Sequence, residues 1–165
     1  LEDPRVELHI EDGVAYVSES SRQFDVVMVD STDPIGPAQP LFNRAFYEKV
    51  ARIMNPDGIL VCQSESPFYD YDVQKKMLAN QRNFFKRLHL YLFPTLTYPG
   101  GLWSFSFATQ GLCPVQNFNS SRVTSAGMQM GYYNAGIHRA AFQLPTFIAE
   151  KYADLIDTIG DPSSA

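Results

Sequence analysis

The run DVVMVD, residues 25–30, constrains this chain more than any other stretch. Val26, Val27, Met28 and Val29 are consecutive apolar residues, and β-branched side chains favour extended backbone. A near-continuous apolar run of this length predicts a parallel strand covered on both faces. It ends abruptly in Asp30, with a second carboxylate, Asp33, three residues on. Pro34, Gly36 and Pro37 then hold the chain in a stiff turn. A purely structural turn seldom needs both acids, so this loop is the first candidate for a ligand site.

The rest of the chain falls into alternating elements. VELHIED (6–12) alternates apolar and polar residues and predicts a strand, closed by Asp12-Gly13. GVAYVSES (13–20) is short and reads as helical. In NRAFYEKVARIM (43–54), Phe46, Val50, Ile53 and Met54 share one helical face; Asn43 is placed to cap it and Asn55-Pro56-Asp57-Gly58 to stop it. ILVCQSES (59–66) predicts another buried strand. YDVQKKMLANQRNFFKRL (71–88) reads as an amphipathic helix, and HLYLFPTLTYP (89–99) as strand-like with a kink at Pro94. LWSFSFATQ (102–110) alternates strictly after a Gly-Gly turn. A polar stretch (114–131) is expected to cross the surface, and a last helix to begin near residue 143 and tail off at 160–163. Alternating βα units predict an α/β fold with a doubly wound, mostly parallel sheet, and the final hairpin adds an antiparallel C-terminal edge.

In an open α/β sheet, ligands bind beyond the carboxyl ends of the strands. Asp12-Gly13, Asp30 with Asp33, and Gln63 with Glu65 all fall there. Each has a plainer reading: Asp-Gly is a common turn, Asp30 can cap a helix, and Gln63 and Glu65 can be a solvated strand end. Paired carboxylates can hold a metal, share a proton or bind a cationic amine. Without further clustered acids or histidines, the amine fits better: both charges attract it, and one acid can take its proton. Tyr98, beside the Gly-Gly turn, ends the next strand on the same edge, where its ring could wall an alkyl chain.

The 165 residues carry a formal charge of -5 and no basic stripe interleaved with aromatics, which argues against nucleic-acid binding. Cys62 and Cys113 have no CxxC spacing and read as free thiols. His9, His89 and His138 are scattered, so no metal is expected. No run of apolar residues is long enough to span a membrane, and the N-terminus is not a signal peptide; a cytoplasmic location is the default expectation. Trp103 reads as packing, and His138 and Arg139 as structural.

The segment DSTDPIGPAQPLF (30–42) resembles the signature of the polyamine aminopropyltransferases, the spermidine synthase family. EDG (11–13), TYPGG (97–101) and YYNAGIHRAAFQLPTF (132–147) agree with it in order and spacing. The resemblance implies a Rossmann-like, methyltransferase-type fold, and transfer of an aminopropyl group from decarboxylated S-adenosylmethionine to putrescine. The products would be spermidine and methylthioadenosine. No prosthetic group or metal is implied, and the assembly would be a homodimer or dimer of dimers.

By the same resemblance, Asp30 is the general base, Asp33 holds the attacking amine with help from Tyr98, and Gln63 reaches the distal amine through water. Asp12 and Gly13 bind the donor's adenine, and Pro37, Ala38 and Leu41 pack on its ring. The family's glycine-rich donor loop does not occur in this sequence. Residues 1–160 are therefore expected to be the C-terminal part of the catalytic domain, truncated on the N-terminal side, with 161–165 a tail and little activity in isolation. An S-adenosylmethionine-dependent amine N-methyltransferase and a non-catalytic partner subunit are the rival readings.

Overall fold

In the computed structural model, which describes residues 2–98 and 100–159, the valine-rich run supplies strand β1 (Phe24–Val29), and Asp30 is the first residue beyond it. Helix α1 (Gly13–Glu19) precedes the strand, and a 3-10 helix (Gly36–Phe42) follows the acidic loop. Then come α2 (Arg44–Arg52), β2 (Met54–Gln63), α3 (Tyr71–Arg82), β3 (Arg87–Pro94) and β4 (Leu102–Thr109). Among the described residues three short helices follow: α4 (Ser120–Ser125), α5 (Ala135–Ala141) and α6 (Thr146–Lys151).

The sheet order is β1-β2-β4-β3. β1 and β2 are parallel, while β4 runs antiparallel to both β2 and β3. The β3–β4 hairpin thus forms the C-terminal edge, with its second strand inserted against β2. β1, β2 and β3 all run the same way, so their carboxyl ends, and the start of β4, meet at one end of the sheet.

Side-chain alternation sorts the two faces. Register pairs Val27 with Leu60 and Val29 with Cys62, and these point to the main core. There α2 contributes Phe46, Tyr47 and Val50, and α6 contributes Ile148, with Tyr152 just beyond it. The apolar face read from the sequence is buried, with Phe46 3% exposed, Val50 0%, Ile53 2% and Met54 8%, but the helix ends at Arg52 and Met54 opens β2. Asn43 does cap α2, its Oδ1 accepting from Phe46 N at 2.8 Å. The opposite parity, Ile59, Val61 and Gln63 on β2, shares the second face with Trp103, Phe105 and Phe107 of β4. His89, Tyr91 and Phe93 of β3 complete that aromatic layer under Phe142.

Several expectations from the sequence do not hold. Residues 6–10 form no strand, and Leu8 and Ile10 are 60% and 92% exposed. Alternation makes a strand only where a neighbour accepts its hydrogen bonds, and β1 pairs with β2 alone. Nor is β1 covered on both faces: Val26 and Met28, on the face away from the main core, are 50% and 77% exposed. Residues 83–88 leave the helix because Leu88 pairs with Ala108. Pro94 ends β3 instead of kinking it, since its partner strand stops at Leu102. Asn55–Gly58 form an irregularity inside β2, where Asn55 Nδ2 donates to Asp25 Oδ1 at 2.7 Å, and α2 has ended before them. The polar stretch contains α4, and α5 precedes the last helix, which starts at Thr146 after Pro145. The tail from 160 onward lies outside the described residues.

Candidate active site

Asp30 continues the parity of Val26 and Met28, the face that carries Gln63 on the neighbouring strand. That shared parity, not proximity in sequence, brings the two together. Asp30, Asp33, Gln63 and Tyr98 all line a single cleft of about 590 Å³ at the carboxyl ends of the strands. Its floor is aromatic, built by Phe93, Trp103 and Phe105. Two carboxylates at the rim and apolar ring faces below suit a molecule with an alkyl body and cationic ends.

Tyr98 is held by a tight turn. Gly101 N donates to Tyr98 O at 3.3 Å, and Thr95 N to Gly101 O at 3.0 Å. Gly100 and Gly101 have φ of 80° and 66°, a region that side chains disfavour. At Gly100 a Cβ would also collide with the ring of Tyr69. Glycine is required there twice over. Pro99 of the same motif lies outside the described residues. The Tyr98 ring sits 4.7 Å from that of Trp103. Trp103, read from sequence as packing, is thus part of the cleft; its indole N–H is buried and unpartnered among the described residues. The strict alternation of LWSFSF was the signal that it shares a face with Phe105.

Glu65 overturns its plainer reading. It is not a solvated strand end but 3% exposed, with φ 58°. For a residue bearing a Cβ, that conformation costs about 1–2 kcal/mol. Burial, then the charge of Asp33, push its carboxyl up to about 7, against the opposing effect of the Gln63 side chain.

A second hollow, of about 410 Å³, adjoins the first along β1. Gly13 and Leu41 line it, together with Asp30 and Ser31, which face both hollows. A Cβ on Gly13 would meet only Leu41 Cδ2, at 4.0 Å. Asp12 caps α1 instead of lining the hollow, its Oδ1 accepting from Val14 N at 2.7 Å and Ala15 N at 3.1 Å. Pro37 and Ala38 belong to the 3-10 helix that bears Leu41, but neither is among the residues lining the two hollows.

Other polar groups are structural. His138 hydrogen-bonds Tyr133 Oη at 2.9 Å and the Pro114 carbonyl at 2.8 Å, and stacks on Phe118. Cys62 and Cys113 are free; burial pushes the Cys62 thiol up to about 12, which makes it inert. Among the described residues no group of three or more His, Cys, Asp or Glu is placed to hold a metal ion. None of the described helices is long and apolar enough to cross a membrane.

Residues 1–119 match the spermine/spermidine synthase domain family. This chain belongs to that family. A polyamine aminopropyltransferase of Caldicellulosiruptor bescii is 43% identical over 150 residues, which is 91% of this chain and 53% of that protein. The chain spans about half the length of the curated relatives it matches. A spermidine synthase crystallised with the transition-state analogue AdoDATO superposes with a TM-score of 0.88 at 35% identity, over 92% of this chain and 52% of that one. Human methyltransferase-like protein 13, in complex with SAH, matches with a TM-score of 0.51 at 21% identity, over 84% of this chain and 60% of that one. That last likeness shows the fold alone: the Rossmann-like, methyltransferase-type α/β sheet of this synthase family.

Proposed function

We propose that this chain carries the amine half of a polyamine aminopropyltransferase site, transferring the aminopropyl group of decarboxylated S-adenosylmethionine to putrescine. The observation that carries this reading is the convergence of Asp30, Asp33, Gln63 and Tyr98 on one cleft, with Asp30 also facing the adjoining hollow. Asp33 and Tyr98 hold the attacking amine as a cation. Asp30, at the junction of the hollows, accepts its proton and frees the nitrogen lone pair. The nitrogen attacks the methylene carbon bonded to the donor's sulfonium; the C–N bond forms, the C–S bond breaks, and sulfur keeps the electron pair. Spermidine and neutral methylthioadenosine leave. No covalent enzyme intermediate is needed, so the protein's work is to orient the amine and exclude water, worth about 7–11 kcal/mol in the best cases.

Gly13 and Leu41 are assigned to the donor's adenine side, with Pro37 and Ala38 shaping the loop that closes it and Asp12 fixing the start of α1. The chain has no glycine-rich donor loop, so the 165 residues alone are expected to turn over little. The working assembly is a homodimer or dimer of dimers in the cytoplasm, which light scattering of purified protein checks for its size.

The test is an acceptor panel on the full-length protein that includes the donor-binding part, assayed with decarboxylated S-adenosylmethionine and, in parallel, with S-adenosylmethionine. Aminopropylation of putrescine supports the reading; methylation would replace it with the N-methyltransferase. Asp30→Asn should lower kcat by roughly 10²–10⁴ while putrescine still binds. Near-normal turnover by that variant would sink the general-base assignment.

A further inference from the structure

The loop that presents Tyr98 has little of its own to hold it still. It runs from the end of β3 at Pro94 to the start of β4 at Leu102. Among its described residues, Thr95 N donates to Gly101 O at 3.0 Å, Gly101 N to Tyr98 O at 3.3 Å, and Thr97 N to Thr95 Oγ1 at 3.3 Å. Leu96 and Tyr98 are exposed. A segment with few hydrogen bonds and little burial opens locally at low free energy.

From outside the loop, the ring of Tyr69 rests on it. Tyr69 Cε2, Cζ and Oη are the atoms that a Cβ on Gly100 would strike, so the ring occupies the space a side chain at 100 would need. Tyr69 belongs to the turn 67–69 between β2 and α3, and that turn is anchored in its own right. Asp70 N closes it on Ser66 O at 3.2 Å. From α6, Lys151 Nζ donates to the Pro67 carbonyl at 3.0 Å, and Phe147 packs on Phe68 with ring centres 5.5 Å apart. A fixed turn thus presses an aromatic ring on the loop beside it.

Tyr69 does not line the amine cleft, and it is 69% exposed. So exposed a ring removes little apolar surface from water and adds little to global stability. Its contact with Gly100 bears instead on where the loop lies, and Gly101 N–H, next in the chain, is bonded to the Tyr98 carbonyl.

We propose that Tyr69 is a positioning residue: it braces the Gly100 turn from outside and so holds Tyr98 over the cleft before the amine arrives. This rests on the amine-cleft reading, in which Tyr98 holds the acceptor. With the brace, the loop is ordered in the free protein. Without it, acceptor binding must supply that ordering and is weakened by its cost. Asp30 lies on the loop after β1, so proton transfer and the donor side do not depend on the brace.

Steady-state kinetics and amide hydrogen exchange on the full-length protein that includes the donor-binding part test this, with Tyr69→Ala and Tyr69→Phe. Tyr69→Ala should raise the putrescine KM roughly three- to tenfold, leaving kcat, the donor KM and the urea midpoint nearly unchanged. Exchange in residues 95–102 should quicken by a similar factor, because loosening raises the population of the open loop. Tyr69→Phe keeps the ring and should restore both. An unchanged putrescine KM in Tyr69→Ala overturns the proposal, and so does a raised KM with unaltered loop exchange. An equal loss in Tyr69→Phe overturns it too, since the hydroxyl and not the brace would then matter. A fall in kcat together with the urea midpoint would assign Tyr69 a general structural role and overturn it as well. If the unaltered protein does not take putrescine, the amine-cleft reading itself fails and this inference falls with it.

Discussion

At the scale of single residues, the two acids of the loop are distinguished by what they border. Asp30 lies where two hollows meet, whereas Asp33 lines only the amine cleft. Substitution should therefore separate them. Asp33→Asn is expected to raise the putrescine Kd roughly tenfold or more, by losing a charge-assisted contact, with a smaller effect on kcat; titration and steady-state kinetics on one preparation decide it. That the loop forms a ligand site was legible in the sequence because what it needs is local, an apolar run, two carboxylates and prolines within about fifteen residues; the division of roles between the two acids came from the family resemblance. Glu65 was not legible. Its burial and its φ are imposed by Ser104, which lies 39 residues further along, and no local pattern announces that contact. Trp103 falls between: its alternation was visible, but which face of β4 would meet the acids was not.

Among the elements, the β3–β4 hairpin and α2 carry the site in different ways. The turn that presents Tyr98 depends on Gly100, for backbone and for space. Gly100→Ala should weaken putrescine binding and lower the urea midpoint. Combining it with Tyr69→Ala removes the collision but not the strained φ, so only part of the loss should return. Helix α2 backs β1 from behind, and Asn43→Ala should cost about 1 kcal/mol by releasing Phe46 N, read as a lower urea midpoint with unchanged slope. The existence of these elements followed from periodicity and turn residues. The order β1-β2-β4-β3 did not, and neither did the fate of residues 6–12, because pairing is decided by which neighbour is available. The segment's alternation is real, yet it pairs with no strand among the described residues, and β1 bonds only to β2.

For the molecule as a whole, buried titratable groups set opposing slopes of stability with pH. Glu65 has its carboxyl raised from the usual 4.5 to about 7, so folding retains a proton that the unfolded chain gives up. Its contribution is full below the ordinary glutamate range and is lost as pH rises through about 7, amounting to at most about 3 kcal/mol. His89 is 3% exposed under Phe107 and Phe142, and burial lowers its pKa. Its contribution is present above the ordinary histidine range and is lost as pH falls. Asp157 acts in the same sense as His89: burial works against its charge, but the Arg82 pair and Leu88 N–H prevail and lower it. Tm should therefore peak between the two slopes. Glu65→Gln should abolish the decline on the alkaline side, and His89→Gln should soften the acid side; thermal melts across pH check both. The open flank of β1 bears on handling as much as on chemistry. Its outer backbone edge has no partner strand among the described residues, and Val26 and Met28 on the strand are exposed, as are Leu8 and Ile10 before it in the chain. Such an edge templates strand addition. The 165 residues handled alone should aggregate with rising concentration, and Met28→Lys should delay the onset of turbidity while leaving the lining of the amine cleft unchanged.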